Sequence, residues 1–173
     1  MKYIYADHAA TTAISEEAKL EMMDCMDRFY GNPSSLHTPG QEAAEMLAEC
    51  RETVAGLMNA DPKEIYFTAG GSEADNQALL TAAKQGEKKG KRHIVSTAFE
   101  HHAVLHSLNR LEREGFEITL LPVYGDGLVR PADVAAAIRE DTACVSVMYA
   151  NNEIGTVQPI REIGEICRER GVL

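Results

Sequence analysis

The chain has 173 residues, 45% apolar and 25% charged, with 27 Asp and Glu against 17 Lys and Arg for a net charge of −10. That length and apolar content suffice for one sizeable core and exclude intrinsic disorder, and the acidic balance argues against a general nucleic-acid binder, which needs a basic face. No apolar run approaches the roughly 18 residues of a membrane span. The stretch from Tyr3 to Ala6 is too short for a secretory signal. Cys25, Cys50, Cys144 and Cys167 are widely spaced and form no CxxC pair, which reads as reduced thiols in a cytoplasmic protein.

In chain order, Ser15 is placed to cap a helix running to about Phe29, with Glu16 and Glu17 in its first turn and Leu20, Met23 and Met26 at helical spacing. Gly31-Asn32-Pro33-Ser34-Ser35 breaks it by turn chemistry. A second helix runs from about Pro39 to Met58, ended by Asn59, Asp61 and Pro62. The methionines at 22, 23, 26, 46 and 58 are expected in helix cores. Ile65-Tyr66-Phe67-Thr68 reads as a short buried strand, and Ala69-Gly70-Gly71 turns into a helix capped by Ser72. Arg92–Thr97 reads as strand, His101–Glu114 as helix stopped by Gly115, Phe116–Pro122 as strand and Tyr124–Gly127 as a turn. Pro131–Arg139 reads as helix, Ala143–Tyr149 as a strand holding Cys144 as a buried thiol, and Pro159–Arg170 as a helix with Gly171 after it. Val172-Leu173 begins another strand. This alternation predicts an α/β fold, a mostly parallel sheet flanked by helices. A chain ending at a strand entry is expected to be part of a larger domain.

Three segments carry chemistry. Thr68–Asn76 joins a strand to a helix start, where glycines, free helix N–H groups and the Ser72 hydroxyl suit a phosphate; the pattern matches neither a nucleoside-triphosphate nor a dinucleotide loop. Glu73 and Asp75 repel a phosphate unless they point away. Glu100-His101-His102-Ala103-Val104-Leu105-His106 follows the next strand. His102 and His106 share a helix face, but no third ligand is spaced with them, and no metal site is assigned. His101 sits at the helix entry, where an imidazole stacks on a ring or moves protons. Tyr149–Thr156 follows a third strand, and its two amides and carboxylate fit either a ligand-facing loop or a hydrogen-bonded turn. All three are expected at one sheet edge, where open α/β folds bind ligands, here a small anion with a phosphate group.

Tyr5-Ala6-Asp7-His8-Ala9-Ala10-Thr11-Thr12, Gly31–Ser35 with His37, Gly70–Asn76, Glu100-His101 and Asn151-Asn152-Glu153-Ile154-Gly155 occur in an order that resembles the cysteine desulfurases of the NifS/IscS type, a branch of the class V aminotransferases. The resemblance covers essentially the whole chain, and only the N-terminal part of a family whose members are more than twice as long. It implies pyridoxal-5′-phosphate (PLP) fold-type I architecture, with residues 1–60 as an N-terminal helical segment and 61–173 as the first part of the large PLP-binding domain. It implies conversion of L-cysteine to L-alanine, with the sulfur passed to an enzyme cysteine as a persulfide for iron–sulfur cluster or thio-cofactor assembly. A sulfur-acceptor protein and a homodimer are implied partners. Residue by residue, Gly71 and Ser72 would bind the PLP phosphate, His101 would stack on the ring and assist proton transfer, and Asn152 would lie near the ring hydroxyl and the substrate carboxylate.

The family's ring-nitrogen Asp, its Ser-x-His-Lys segment and its persulfide-forming Cys loop have no counterpart in residues 1–173. Lys2, Lys19, Lys63, Lys84, Lys88, Lys89 and Lys91 and the four cysteines are therefore given none of those roles. A helix N-terminus contributes about 0.3–1 kcal/mol to holding an anion, while micromolar affinity needs about 8 kcal/mol. The chain alone is expected to bind PLP weakly or not at all and to release no sulfur. The alternatives are a selenocysteine lyase, another class V PLP enzyme, a phosphate-binding protein without PLP, or a non-catalytic interaction module of the same fold.

Overall fold

The computed structural model describes residues 4–173; the readings placed on Met1, Lys2 and Tyr3 lie outside the described residues. The chain forms two compact units, Met1–Phe67 and Thr68–Leu173.

In the first unit, Ser15 accepts a hydrogen bond from the Ala18 N–H at 3.2 Å and opens α1, Glu16–Arg28. Helix α2, Thr38–Met58, starts at His37, whose Nδ1 accepts from the Gly40 N–H at 3.3 Å, and ends at Asn59 in the left-handed region. A 3-10 turn, Pro62–Glu64, follows through a capping box on Asp61. Two expectations fail here. Helix α1 buries no residue: Leu20, Met22, Met23 and Met26 are exposed, as is Met58 of α2, while Met46 is half-buried. Helical spacing marks a face fit for burial, but burial needs a covering element, and no described residues cover this one. Ile65–Thr68 is not a strand, and Tyr66 and Phe67 are exposed. Extended backbone becomes a strand only when a neighbour completes its hydrogen bonds, and no described strand pairs with this segment.

The second unit is the α/β layer. Its elements are α3 (Gly71–Glu87), β1 (His93–Thr97), α4 (His102–Arg113), β2 (Glu117–Leu121), α5 (Pro131–Ala137), β3 (Thr142–Val145) and α6 (Ile160–Arg170). The strands form one sheet in the order β2-β1-β3, with both pairings parallel. Crossovers through α4 and α5 impose that direction, since parallel neighbours cannot be joined by a hairpin. Strand β3 stops at Val145 rather than Tyr149, although Ser146 N–H still donates to the Val95 carbonyl at 2.9 Å. Val172-Leu173 is not a strand, although on the other side of β3 the Val145 N–H donates to the Leu173 carbonyl at 2.8 Å.

Successive residues of β1 serve opposite cores, as strand periodicity requires. Ile94 packs with Leu79 and Ala83 of α3 and Val104, Leu108 and Leu111 of α4. Val95 packs with Leu121, Val129, Val134, Ile138, Ile163 and Cys167 on the face covered by α5 and α6. Helix α3 lies very close to β3: a Cβ built on Gly86 would fall 2.4 Å from the Ala143 Cβ. All of β1 is buried, including His93 at its start. Both imidazole nitrogens of His93 are paired, Nδ1 with the Thr142 hydroxyl and Nε2 with the Thr119 hydroxyl, each at 2.8 Å, so one ring spans all three strands. No helix among the described residues is long and apolar enough to cross a membrane.

Candidate functional site

Helix α3 begins two residues earlier than its sequence suggests. Gly70, not Ser72, is the cap residue, and it supplies no side-chain bond. Ser72 therefore sits inside the first turn, with its side chain exposed. The N–H groups at a helix start have no intrahelical acceptor, and here no cap side chain takes them. A Cβ on Gly70 or Gly71 would meet nothing within 4 Å, so the backbone is open to close approach. The Glu73 carboxylate is turned back onto the Ala69 N–H at 2.7 Å. Asp75 instead lines a cavity of about 170 Å³ beside Leu79, Val104, Cys144, Ser146 and Leu173. A helix start with free N–H donors, a hydroxyl and no covering side chain fits a phosphate.

His101 is the cap of α4. Its Nδ1 accepts from the Ala103 N–H at 3.1 Å, which leaves Nε2 as the protonated nitrogen of the neutral ring. The ring is exposed. His102 and His106 stack with centroids 5.6 Å apart, but among the described residues no group of three or more His, Cys, Asp or Glu is placed to hold a metal.

The segment after β3 divides its two asparagines between two tasks. Asn151 is buried and organises the turn: its Oδ1 accepts from the N–H groups of Glu153 and Ile154 at 2.9 and 3.0 Å, and its Nδ2 donates to the Phe99 carbonyl at 3.2 Å. Asn152 and Glu153 are exposed. The turn also rests on buried Gln158, which accepts from the Val129 N–H and donates to the Gly127 carbonyl, both at 2.9 Å.

Side-chain bonds link the three segments. Asn76, one turn into α3, donates to the Ser72 carbonyl at 2.6 Å and accepts from the Ser107 hydroxyl of α4 at 2.6 Å. Ser107 also reaches the Ala103 carbonyl at 2.9 Å, two residues from His101. Glu100, 6% exposed, accepts at Oε1 from the Thr97 hydroxyl and from the Met148 N–H, both at 2.8 Å. Burial pushes the Glu100 carboxyl above the usual carboxylate range and the charge of Asp75 adds to that, while the two donors oppose it. The segments carrying Gly71 and Ser72, His101, and Asn152 thus form one bonded system. Two of the three follow strands; the first does not, because Ile65–Thr68 is unpaired.

Reading the residues singly gives no separate role to Glu100 or Asn151. The usable signal is Thr97-Ala98-Phe99-Glu100, a T-x-x-E spacing that normally marks a capping box. Here the Thr hydroxyl bonds the Glu carboxylate directly. Burial pushes the Cys144 thiol up to about 11, so it stays protonated at neutral pH and is no nucleophile.

A parallel sheet with a phosphate-ready helix start and an imidazole at its C-terminal edge is the arrangement of an α/β cofactor-binding domain, and residues 4–173 match the family model for class-V aminotransferases. The chain belongs to that family. It is 50% identical over 173 residues to the cysteine desulfurase IscS of Azotobacter vinelandii, covering 98% of this chain and 43% of that protein. It is 47% identical over 171 residues to the cysteine desulfurase IscS of Clostridium botulinum (strain Kyoto / Type A2), covering 99% of this chain and 43% of that protein. The solved structure of SspA in complex with cysteine superposes with a TM-score of 0.90 at 35% identity, covering 97% of this chain and 48% of that one. The chain therefore spans less than half the length of these relatives. The expected α/β architecture, with its parallel sheet flanked by helices, is the one found.

Proposed function

We propose that this chain supplies the phosphate- and ring-facing part of the active site of a PLP-dependent cysteine desulfurase acting on L-cysteine, with residues 61–173 as the first part of its cofactor-binding domain. The observation that carries this reading is the uncapped start of α3, bonded through Asn76 and Ser107 to the segment that presents His101. When bound, PLP supplies an electron sink for bond breaking at the amino acid, and the protein supplies its binding and orientation. The Gly71 and Ser72 N–H groups and the Ser72 hydroxyl hold the phosphate. The exposed His101 ring, with its proton on Nε2, is free to cover the cofactor ring and to carry a proton. Asn152 offers an amide to the ring hydroxyl or the substrate carboxylate. In this reading the product is L-alanine, and the sulfur passes to a cysteine of the full-length enzyme as a persulfide and from there to an acceptor protein. The working enzyme is a homodimer, as in the family, and the four free cysteines are in keeping with a cytoplasmic location.

PLP titration of the 173-residue chain, with inorganic phosphate as competitor, tests this reading. The expected result is saturable binding weaker than about 1 μM, since helix-terminus and hydroxyl contacts fall well short of the 8 kcal/mol that micromolar affinity needs. Phosphate should compete. H101A should weaken PLP further without changing phosphate affinity, and H101N, which keeps a capping acceptor, separates loss of the ring from loss of the cap. The chain alone, given PLP, L-cysteine and a reductant, should release no sulfide above a PLP-only control. Failure of phosphate to bind at millimolar concentration, or to compete with PLP that does bind, overturns the site.

A further inference from the structure

Two buried polar side chains cross between the same two loops in opposite directions. From the loop after β1, the Glu100 carboxylate reaches over to accept the Met148 N–H at 2.8 Å. From the loop after β3, the Asn151 amide reaches back to donate to the Phe99 carbonyl at 3.2 Å. Neither bond belongs to the sheet ladder, and each bridges about 50 residues of sequence, with separations of 48 and 52. Glu100 also accepts from Thr97, the last residue of β1, so the crossing is anchored to the end of the central strand. Asn151 holds its own loop in a turn through the Glu153 and Ile154 N–H groups. His101 follows Glu100 directly, and Asn152 follows Asn151 directly. Each crossing residue is therefore the chain neighbour of an exposed residue proposed to face the cofactor.

We propose that Glu100 and Asn151 are positioning residues: their reciprocal crossing locks the two loops into one body and thereby sets His101 and Asn152 relative to each other. A buried carboxylate is a costly way to close one loop, unless its hydrogen bonds perform a task that apolar packing cannot. The task visible here is alignment, since each bond fixes a backbone group next to an exposed side chain of the site. The positioning role rests on the PLP reading of His101 and Asn152; the locking of the loops does not.

The test is amide hydrogen exchange on the 173-residue chain and on its E100A, E100Q and N151A variants, without ligand. E100A is expected to speed exchange about tenfold or more in both segments 98–103 and 146–156, the factor carried by a lost hydrogen bond to a charged group. Strand β2 should stay within about twofold, because its ladder is untouched. E100Q keeps an oxygen that accepts both bonds and should restore both segments. N151A should speed exchange at 98–103, across the gap, even if E100A fails to fold. A uniform rise through the whole second unit, no rescue by E100Q, or a response confined to the mutated loop overturns the locking. A second arm measures PLP affinity at millimolar cofactor: E100A should weaken it about tenfold and E100Q should restore it. An unchanged affinity in E100A overturns the positioning role. A wild-type chain that binds neither PLP nor inorganic phosphate sinks the cofactor reading, and the positioning role with it, while the exchange data still decide the locking.

Discussion

His93 shows what one side chain does for the sheet. The Thr142 hydroxyl also accepts from the Arg139 N–H at 2.7 Å, which ties the ring to the turn before β3. A neutral imidazole has one donor and one acceptor nitrogen, and the two threonine hydroxyls satisfy both. Burial holds the His93 pKa below its ordinary value and Arg139 lowers it further, while Asp141 and Glu117 pull it back up. The folded state therefore resists a proton that the unfolded chain accepts near pH 6.5. This contribution to stability is present in full above that pH and is lost as the pH falls through the lower folded-state value. Urea unfolding at pH 7.5 and 5.5 should show wild type losing more stability on acidification than H93Q; equal losses would remove His93 from the account. A histidine opening an apolar strand gives no such warning in the sequence, because its partners lie 26 and 49 residues away.

Elements were legible where period and punctuation agree. Gly115 and Gly171 close α4 and α6 near the expected places, and Pro131 opens α5. The misreadings occur where a local signal needs a distant partner. Ile65–Thr68 has the composition of a strand and no neighbour to pair with. Ser72 has the chemistry of a cap, but the two glycines before it let the helix start two residues earlier. The candidate site was legible as segments, and the bonds that join them were not, because Asn76–Ser107 and Glu100–Met148 are side-chain contacts between elements far apart in sequence. Gly86 makes a further claim at this scale. An alanine inside a helix usually gains about 1 kcal/mol over glycine, yet here its methyl group would sit 2.4 Å from the Ala143 Cβ and 3.2 Å from the Ala143 Cα and the Lys91 carbonyl oxygen. Backbone cannot give way as a flexible side chain does, so the clash prevails. G86A should lower the unfolding free energy by about 1–3 kcal/mol, measured by denaturant midpoint; a stabilised variant would show that α3 is free to slide from β3.

The two units differ in how they are held. The second has a sheet with a core on each face. Among its described residues the first buries only Gly40, Ala43 and Ala55 of α2 and nothing of α1, while Leu20, Met23, Met26, Leu57 and Met58 stay exposed. Isolated helices shorter than about 12–15 residues are marginal in water, and α1 has 13. Its Ser15 cap adds about 1 kcal/mol, and its exposed ion pairs, Lys19–Glu16 and Arg28–Asp24, add only tenths of a kcal/mol. Amides of α1 should exchange orders of magnitude faster than those of β1, and limited trypsin digestion should cut after Lys19 and Arg28 before it cuts in the second unit. Slow exchange in α1 would mean that its apolar face is covered in solution.

The strand order has a consequence for how the molecule is made. Strand β1 is central, and both of its neighbours follow it in the chain. On a ribosome, β1 emerges before either edge that will cover it. His93 waits 49 residues for Thr142, which at about 5–20 residues per second is roughly 2–10 s of synthesis. Through that interval Ile94 and Val95, fully buried in the finished sheet, have no complete layer to enter. The pace of translation across residues 93–145, and any chaperone that holds an apolar strand for seconds, therefore act on the yield of this fold.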